Sequence, residues 1–262
     1  MGGVRAVLID IDGVLTVSWE PLEGAVEALQ VIREAGLPVA LLTNTTSRTR
    51  DRIARTLAER GLRVGPDDIL TAPAATAAYL REHRPDAACL LLNSGDVTAD
   101  LQGVRLVSGP DARPDVVVIG GAGPEFDYAA LNGVFGHLQR GAELIAMHRN
   151  LYWRTDEGLQ LDAGAFLLGL EAATGTEAVV LGKPAAEFFA AALRTLGVTA
   201  DEAVMVGDDV EADVLGAQEH GVGGVLVRTG KFAPDAEGGV DGHRPQHVID
   251  SIADLPGLLG LG

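Results

Sequence analysis

Two aspartates stand two residues apart at the point where an apolar run of the sequence ends. Asp10 and Asp12 follow the stretch Val4–Ile9 and precede Gly13. Carboxylates in this arrangement can bind a divalent metal ion, and a carboxylate can attack phosphorus to form an aspartyl phosphate. Alone the pattern is weak, since an acid at the end of a strand can also simply cap the next element.

Three further groups of polar residues follow in the sequence and strengthen this interpretation. They are Thr43-Asn44, Lys183 between Gly182 and Pro184, and Asp208-Asp209 with Asp213 four residues later. Each group stands at the end of a predicted strand or just after one. Because ligands of a doubly wound sheet bind beyond the carboxyl ends of its strands, we expect the four groups to meet at one edge.

The residue types indicate a division of chemical roles. Asp10 is the candidate nucleophile, and Asp12 is the candidate acid and base that protonates the leaving oxygen and later activates water. Lys183 is expected to neutralise the nucleophile and a phosphate oxygen. Pro184 is expected in the first turn of the helix that follows, where its missing N–H costs nothing.

Thr43 and Asn44 are candidates for binding the phosphate group of a substrate. Their hydroxyl and amide can hydrogen-bond phosphate oxygens, together with N–H groups at the start of the next helix. A hydroxyl of residues 45–47 is expected to cap that helix. Both interpretations can hold, since the cap and the phosphate contact use different residues.

A magnesium ion is the expected cofactor, since it is bound by one or two carboxylates together with waters and phosphate oxygens. The predicted ligands are Asp10, Asp208 and the backbone carbonyl of Asp12. Asp209 and Asp213 lie four residues apart, so they share one helix face and are expected to hold metal-bound water or Lys183. Asp213 can also be an ordinary acid that the helix dipole favours.

The elements that must position these residues follow an α/β rhythm. Strand-like apolar runs alternate with stretches of helical spacing, which predicts a Rossmann-like doubly wound parallel sheet with helices on both faces. The predicted strands around the candidate site are Val4–Ile9, Pro38–Thr43, Ala178–Leu181, Ala203–Val206 and Gly224–Val227. A middle block, residues 72–180, is expected to form its own α/β domain, leaving 1–71 and 181–262 for the core.

The overall composition excludes several classes of partner. The 262 residues include 20 basic and 37 acidic ones, and the net charge of −17 argues against nucleic-acid and membrane-surface partners. Cys89 is the sole cysteine, so no intrachain disulfide can form. No apolar run has membrane-spanning length and no signal-peptide pattern is found, so a cytoplasmic protein is expected.

The four groups, in this order, resemble the haloacid dehalogenase superfamily of aspartate-nucleophile phosphohydrolases, over almost the whole chain. The long insert resembles the C2-type α/β cap of subfamily IIA, notably in Val116–Gly120, Pro124–Tyr128, Leu144–His148 and Thr174–Pro184. This resemblance implies a Mg²⁺-dependent phosphatase with a Rossmann-like core, a cap that closes over the site, and often a homodimer made through the caps. Relatives that cleave carbon–halogen bonds lack an acid equivalent to Asp12, so dehalogenase activity is not expected.

We therefore expect a phosphomonoesterase that acts on a small phosphorylated metabolite. With the same chemistry, the enzyme could instead cleave inorganic pyrophosphate or a phosphorus–nitrogen bond. A non-catalytic phospholigand-binding protein is a rival from another class. A receiver-type phosphoacceptor is a third, although no cap of roughly a hundred residues would be expected there.

Two stretches of the middle block allow more than one interpretation. Gly120–Gly123 could be a phosphate loop, but it fits no dinucleotide or Walker pattern, which favours a tight turn. His148–Arg154 mixes cations and aromatic residues. That stretch could line a substrate entrance, or it could form a hairpin or a dimer surface.

Overall fold

The chain forms two compact units. The computed structural model describes residues 3–155 and 158–261. The first unit comprises the chain up to Thr43, Arg50–Leu70 and the chain from Lys183 onward. The second unit comprises Asn44–Thr49 and Thr71–Gly182.

Six described strands of the first unit build one central sheet. Their order across the sheet is His247–Ile249, Gly223–Val227, Ala203–Gly207, Ala6–Asp10, Val39–Thr43 and Ile69–Thr71, the last of which ends at the boundary of the units. The three central strands are buried along their whole length. Strands that are covered on both faces read as continuous apolar runs, which is why the sequence pattern shows them clearly.

The strand Ala6–Asp10 lies between its two parallel neighbours, and this register places the predicted site residues at one edge. Ile9 is opposite Val206, and Asp10 is opposite Leu42. Asp208 and Thr43 therefore come just beyond the positions level with Asp10 on the two adjacent strands. The carboxyl ends of three strands meet there, as expected for the ligand edge of such a sheet.

Helices and short turns connect the strands of the first unit. The helices are Ala25–Glu34, Arg50–Glu59, Ala186–Leu196, Gly216–Glu219 and Leu255–Leu259, with a π-helix at Val210–Leu215. Short 3₁₀ turns occur at Pro66–Asp68, Ala200–Glu202, Pro234–Gly238 and Ile252–Asp254, and a small hairpin pairs Thr16–Val17 with Glu20–Pro21. Gly36 follows the first helix at φ +78°, a conformation that glycine adopts without strain.

The second unit has its own parallel sheet. Its strand order is Val179–Val180, Glu143–Ala146, Val116–Ile119, Ala88–Leu92 and Arg105–Leu106. The helices are Ala72–His83, Tyr128–Gln139 and Ala163–Thr174, with a 3₁₀ turn at Thr98–Leu101 and a hairpin of Tyr152–Thr155 with Gly158–Leu161. Val117 and Ile119 pack in one apolar cluster and Val116 and Val118 in another, so this sheet is covered on both faces.

The predicted α/β fold with parallel sheets is confirmed, but three local expectations were wrong. The strand before Lys183 pairs with Glu143–Ala146, so it belongs to the sheet of the second unit and not to the central sheet. Pro184 precedes the helix that begins at Ala186 and forms a cis peptide with Lys183. Asp209 and Asp213, expected on one face of an α-helix, are respectively the N-cap and a member of the π-helix Val210–Leu215. Within the described ranges, no helix combines the length and apolar character that crossing a bilayer requires.

Candidate active site

A buried lysine joins two of the predicted aspartates. The Nζ atom of Lys183 lies 2.5 Å from Oδ1 of Asp10 and 2.6 Å from Oδ1 of Asp213. All three side chains are buried. Burial by itself would lower the pKa of Lys183, but the two carboxylates outweigh it and raise the pKa above its usual value. The lysine is therefore a fixed positive charge beside the candidate nucleophile.

Asp208 completes a cluster of three buried carboxylates. One oxygen each from Asp10, Asp208 and Asp213 lie within 4.8 Å of one another. Burial raises the pKa of Asp10 and of Asp208 to about 6, and that of Asp213 to about 7. Repulsion among the carboxylates acts in the same direction, and Lys183 opposes it. The two lysines that act on the cluster, Lys183 and Lys231, carry fewer charges than the three carboxylates, which favours a further cation.

The donor set fits a hard divalent cation. Oδ1 of Asp208 is buried and accepts no hydrogen bond from any residue that the structure describes. A buried carboxylate oxygen without a donor is costly, and a metal ion would satisfy it. All the candidate ligand atoms are oxygens, as magnesium prefers. The residues that could hold the ion are Asp10, Asp208 and the main chain at Asp12.

Two glycines enclose the carboxylate of Asp208. A Cβ atom added to Gly13 or to Gly230 would lie 2.0 Å from Oδ2 of Asp208. Both glycines have positive φ, +89° and +64°. Glycine is therefore required at these two positions by space as well as by backbone conformation.

Replacing Gly13 by alanine is expected to weaken Mg²⁺ binding about 10- to 100-fold, because the new methyl group displaces Asp208. Gly36→Ala is the matched control. Gly36 also has positive φ (+78°), but no described atom lies within 4 Å of the added Cβ. Both variants carry a backbone strain of about 1–2 kcal/mol. Calorimetric titration with Mg²⁺ distinguishes the two variants. Equal affinities for Mg²⁺ would contradict the role of Asp208 as a ligand of the metal.

A loop that the sequence analysis did not single out also contacts this cluster. The N–H of Lys231 donates to Oδ2 of Asp208 at 2.7 Å, and the hydroxyl of Thr229 donates to the carbonyl of Gly13 at 2.5 Å. Residues 229–231 follow the strand Gly223–Val227, which neighbours Ala203–Gly207. A Thr-Gly-Lys sequence after a predicted strand of the same sheet is the signal that could have identified the loop.

The remaining predicted acids lie around the cluster. Asp12 is exposed at the surface. Partial desolvation of its carboxylate raises its pKa, and the positive charges of Lys231 and Lys183 lower the pKa by a smaller amount. The carboxylate of Asp209 accepts hydrogen bonds from the N–H groups of Glu211 and Ala212, so it caps the π-helix. Asp213 therefore contacts Lys183, which is one of the two partners expected for it, the other being metal-bound water. Asp209 instead caps the π-helix.

The predicted phosphate-binding residues fall on either side of the unit boundary. Thr43 is the buried last residue of its strand in the first unit, whereas Asn44 belongs to the second unit. The helix after them begins at Arg50. The hydroxyl of Thr46, one of the expected capping residues, accepts a hydrogen bond from the N–H of Gly121 at 3.0 Å.

The two ambiguous stretches of the second unit are resolved in part. The N–H groups of Gly121 and Ala122 donate to side chains of Thr46, Asn93 and Asp162, so this loop is a bonded turn. Residues 152–155 form one arm of a hairpin. The side chains of Trp153 and Arg154, part of the predicted entrance, lie outside what the structure describes.

Comparisons with known proteins assign the chain to a family. The haloacid dehalogenase-like hydrolase model matches residues 7–106, and a HAD-hydrolase-like model matches residues 180–255. The human haloacid dehalogenase-like hydrolase domain-containing protein 2 is 37% identical over 234 residues, which are 89% of this chain and 88% of that protein. The chain therefore belongs to the haloacid dehalogenase-like hydrolases, as the four sequence groups predict.

Several relatives and solved structures that resemble this chain are named as phosphatases. The phospholysine phosphohistidine inorganic pyrophosphate phosphatase of Rattus norvegicus is 35% identical over 269 residues, 99% of this chain and 95% of that protein. A glycerol phosphate phosphatase from Mycobacterium tuberculosis, solved with magnesium, superposes with a TM-score of 0.86 at 28% identity. That likeness covers 97% of this chain and 76% of the other. The chain is thus an enzyme of a hydrolase family whose named neighbours act on phosphate compounds.

Proposed function

We propose that this enzyme is a Mg²⁺-dependent phosphatase that hydrolyses a small phosphorylated metabolite through an aspartyl phosphate on Asp10. The observation that carries the proposal is the contact of 2.5 Å between Lys183 and Asp10 inside the carboxylate cluster. The lysine holds Asp10 in its ionised form, which is the form that can attack phosphorus.

Asp10, Asp208 and the backbone carbonyl of Asp12 are the proposed magnesium ligands. The unsatisfied Oδ1 of Asp208 and the crowding of three carboxylates support this assignment. The solved glycerol phosphate phosphatase contains magnesium, which supports the choice of metal. Bound magnesium supplies neutralisation of the charge on the transferring phosphoryl group.

The reaction is proposed to proceed in two displacements. A carboxylate oxygen of Asp10 forms a bond to phosphorus while the bond from phosphorus to the leaving oxygen breaks, and Asp12 gives its proton to that oxygen. A water molecule then attacks the phosphorus of the aspartyl phosphate while the bond from phosphorus to the Asp10 oxygen breaks, and Asp12 takes the proton of the water. Inorganic phosphate leaves and the carboxylate of Asp10 is restored. The raised pKa of Asp12 suits a group that must be protonated in the first displacement. Its exposure gives water access to it.

The chain also supplies groups for holding the phosphate. Lys183 lies against Asp10 and is proposed to bind a phosphate oxygen in the same position. Thr43 and Asn44 are proposed to donate hydrogen bonds to the remaining oxygens. Positioning and charge neutralisation make up most of the catalysis in phosphoryl transfer.

The second unit is proposed to be the C2-type cap, and its side chains to set the substrate. Two properties support this proposal. The unit is a continuous insertion with its own parallel sheet, apart from the short segment Asn44–Thr49. The first unit carries the whole carboxylate cluster. The side chains of the second unit can therefore differ between enzymes with different substrates without changing the catalytic groups.

A phosphate-release screen tests the proposed function. The panel contains sugar phosphates, nucleotides, pyridoxal phosphate, pyrophosphate and phospholysine, with and without Mg²⁺, and the Asp10→Asn variant is the blank. Release that requires Mg²⁺ and is absent from the blank supports the proposal. A response limited to pyrophosphate or phospholysine would favour the alternative activities that the rat relative's name suggests. Binding of compounds without any release would favour the non-catalytic rival.

We also propose that two copies associate through the hairpin of the second unit. Tyr152 pairs directly with Leu161 across the hairpin, and Leu159 lies two residues from Leu161 on the same face. Their exposed fractions are 62%, 64% and 61%. An exposed apolar face of this kind is typical of an interaction surface.

Leu161→Glu is expected to convert a dimer to a monomer, because it places a charge in the centre of this apolar face. Gln160→Glu is the matched control, since Gln160 is also exposed and neighbouring strand residues point to opposite faces. Sedimentation velocity over a range of concentrations measures both. A monomeric wild-type protein, or a dimeric Leu161→Glu variant, would contradict the proposed interface.

A further inference from the structure

We propose that Thr229 is a positioning residue of the magnesium site, and that residues 229–231 act as a clamp on two of its ligand segments. The inference rests on the proposed magnesium site. Thr229 lies outside the proposed ligands, and it acts through the turn at Asp12 and Gly13. The clamp is defined by two hydrogen bonds from neighbouring positions of one loop.

The first bond fixes the turn that follows the nucleophile. The hydroxyl of Thr229 donates to the carbonyl of Gly13 at 2.5 Å, and the N–H of Gly13 donates to the carbonyl of Thr16 at 2.7 Å. In a trans peptide the N–H and the preceding C=O point in opposite directions. The carbonyl of Asp12 is therefore directed away from Thr16, and Gly13 is bonded on both of its polar groups.

The second bond fixes the carboxylate on the adjacent strand. The N–H of Lys231 donates to Oδ2 of Asp208, while Oδ1 of the same carboxylate is buried without a donor. The loop therefore holds one oxygen of Asp208 and leaves the other available to a metal ion. Gly230, between the two donors, packs so closely on Gly13 that an added Cβ would lie 2.6 Å from the Cα of Gly13.

The hydroxyl of Thr229 is not needed to fold the loop itself. The N–H of Phe232 donates to the carbonyl of Thr229, and the N–H of Arg228 donates to the carbonyl of Ile249. These backbone bonds remain when the side chain changes. Loss of the hydroxyl should therefore release the turn at Gly13 while the loop keeps its conformation.

Replacing Thr229 by valine tests the inference, since valine has nearly the same shape and lacks the hydroxyl. We expect the dissociation constant for Mg²⁺, measured by calorimetry on the substrate-free enzyme, to rise about tenfold or more, as for the loss of other outer-shell partners of a metal site. Thr229→Ser keeps the hydroxyl and is expected to restore the affinity to within about threefold of the wild type. Thermal unfolding in EDTA should show that all variants are folded.

Thr195→Val is the matched control. The hydroxyl of Thr195 also donates to a carbonyl, that of Ala191 at 3.0 Å, in the last turn of the helix Ala186–Leu196. This control should bind Mg²⁺ like the wild type. Thr229→Ala serves as a second hydroxyl-free variant if the valine lowers stability.

The outcomes separate this inference from the proposed function. Wild-type affinity in both hydroxyl-free variants, or failure of serine to restore it, would overturn the positioning role and leave the magnesium site standing. Absence of Mg²⁺ binding by the wild type would overturn the proposed metal site, and this inference with it. Weak binding in the hydroxyl-free variants with normal binding in the serine variant and in Thr195→Val is the result expected.

Discussion

Asp10→Asn is expected to reduce turnover by at least about four orders of magnitude, as the loss of a nucleophile does in other covalent mechanisms. The amide cannot form the bond to phosphorus, although it nearly preserves the size of the side chain. Steady-state phosphate release with the best substrate of the panel measures the loss. The fold should persist, because Asp10 ends a strand whose other residues are fully buried and apolar.

The same substitution at an aspartate outside the carboxylate cluster controls for the change of charge. Asp127→Asn suits this purpose, since Asp127 caps the helix Tyr128–Gln139 and asparagine caps a helix equally well. This variant should retain wild-type turnover. Substantial activity in Asp10→Asn, with the protein shown to be free of wild-type contamination, would contradict the assignment of the nucleophile.

Lys183→Met is expected to reduce turnover about 10²–10³-fold and to destabilise the protein by about 3–5 kcal/mol at neutral pH. The methionine fills much of the space of the lysine but leaves Asp10 and Asp213 buried without their cation. Phosphate release and chemical unfolding in EDTA measure the two effects. Lys231→Met is the control for the change in stability alone, because its side chain is 68% exposed and lies 3.5 Å from Asp209. An exposed pair of this kind contributes about 0–1 kcal/mol.

The stability deficit of Lys183→Met should depend on pH with a definite sign. Burial raises the pKa of Asp213 to about 7 and that of Asp10 to about 6, above their usual value of 3.8. Removal of the lysine raises both further, so the folded variant binds protons more readily than the folded wild type. The deficit should therefore shrink as the pH falls from about 8 to about 6. A deficit that grows over this range would show that the two carboxylates are not held together by Lys183.

The parts of the site that the sequence predicts are those carried by long apolar strands. Ala6–Asp10 and Ala203–Gly207 are continuous apolar runs, so their ends, and with them Asp10 and Asp208, could be located from the pattern alone. Parallel pairing then brings the two ends to one edge. The family follows from the same residues, because their types and order are specific.

Other parts depend on interactions that leave no local pattern. The strand Val179–Val180 has two residues, and its pairing with Glu143–Ala146 is decided by distant parts of the chain. The contribution of Lys231 to Asp208 comes from its backbone N–H, which every residue except proline possesses. The π-helix at Val210–Leu215 differs from an α-helix by its hydrogen bonding and not by its residue types.

The role of Asp10 as nucleophile is tested by identifying the residue that is phosphorylated during turnover. The enzyme is mixed with a substrate from the panel and Mg²⁺, quenched in acid, and digested with trypsin. Cleavage after Arg5 and Arg33 gives a peptide of residues 6–33 that contains both Asp10 and Asp12, and fragmentation in the mass spectrometer distinguishes them. We predict a phosphoryl group on Asp10 that is labile to hydroxylamine and absent from Asp10→Asn. A phosphoryl group on any other residue, or turnover that proceeds unchanged in Asp10→Asn, would contradict it.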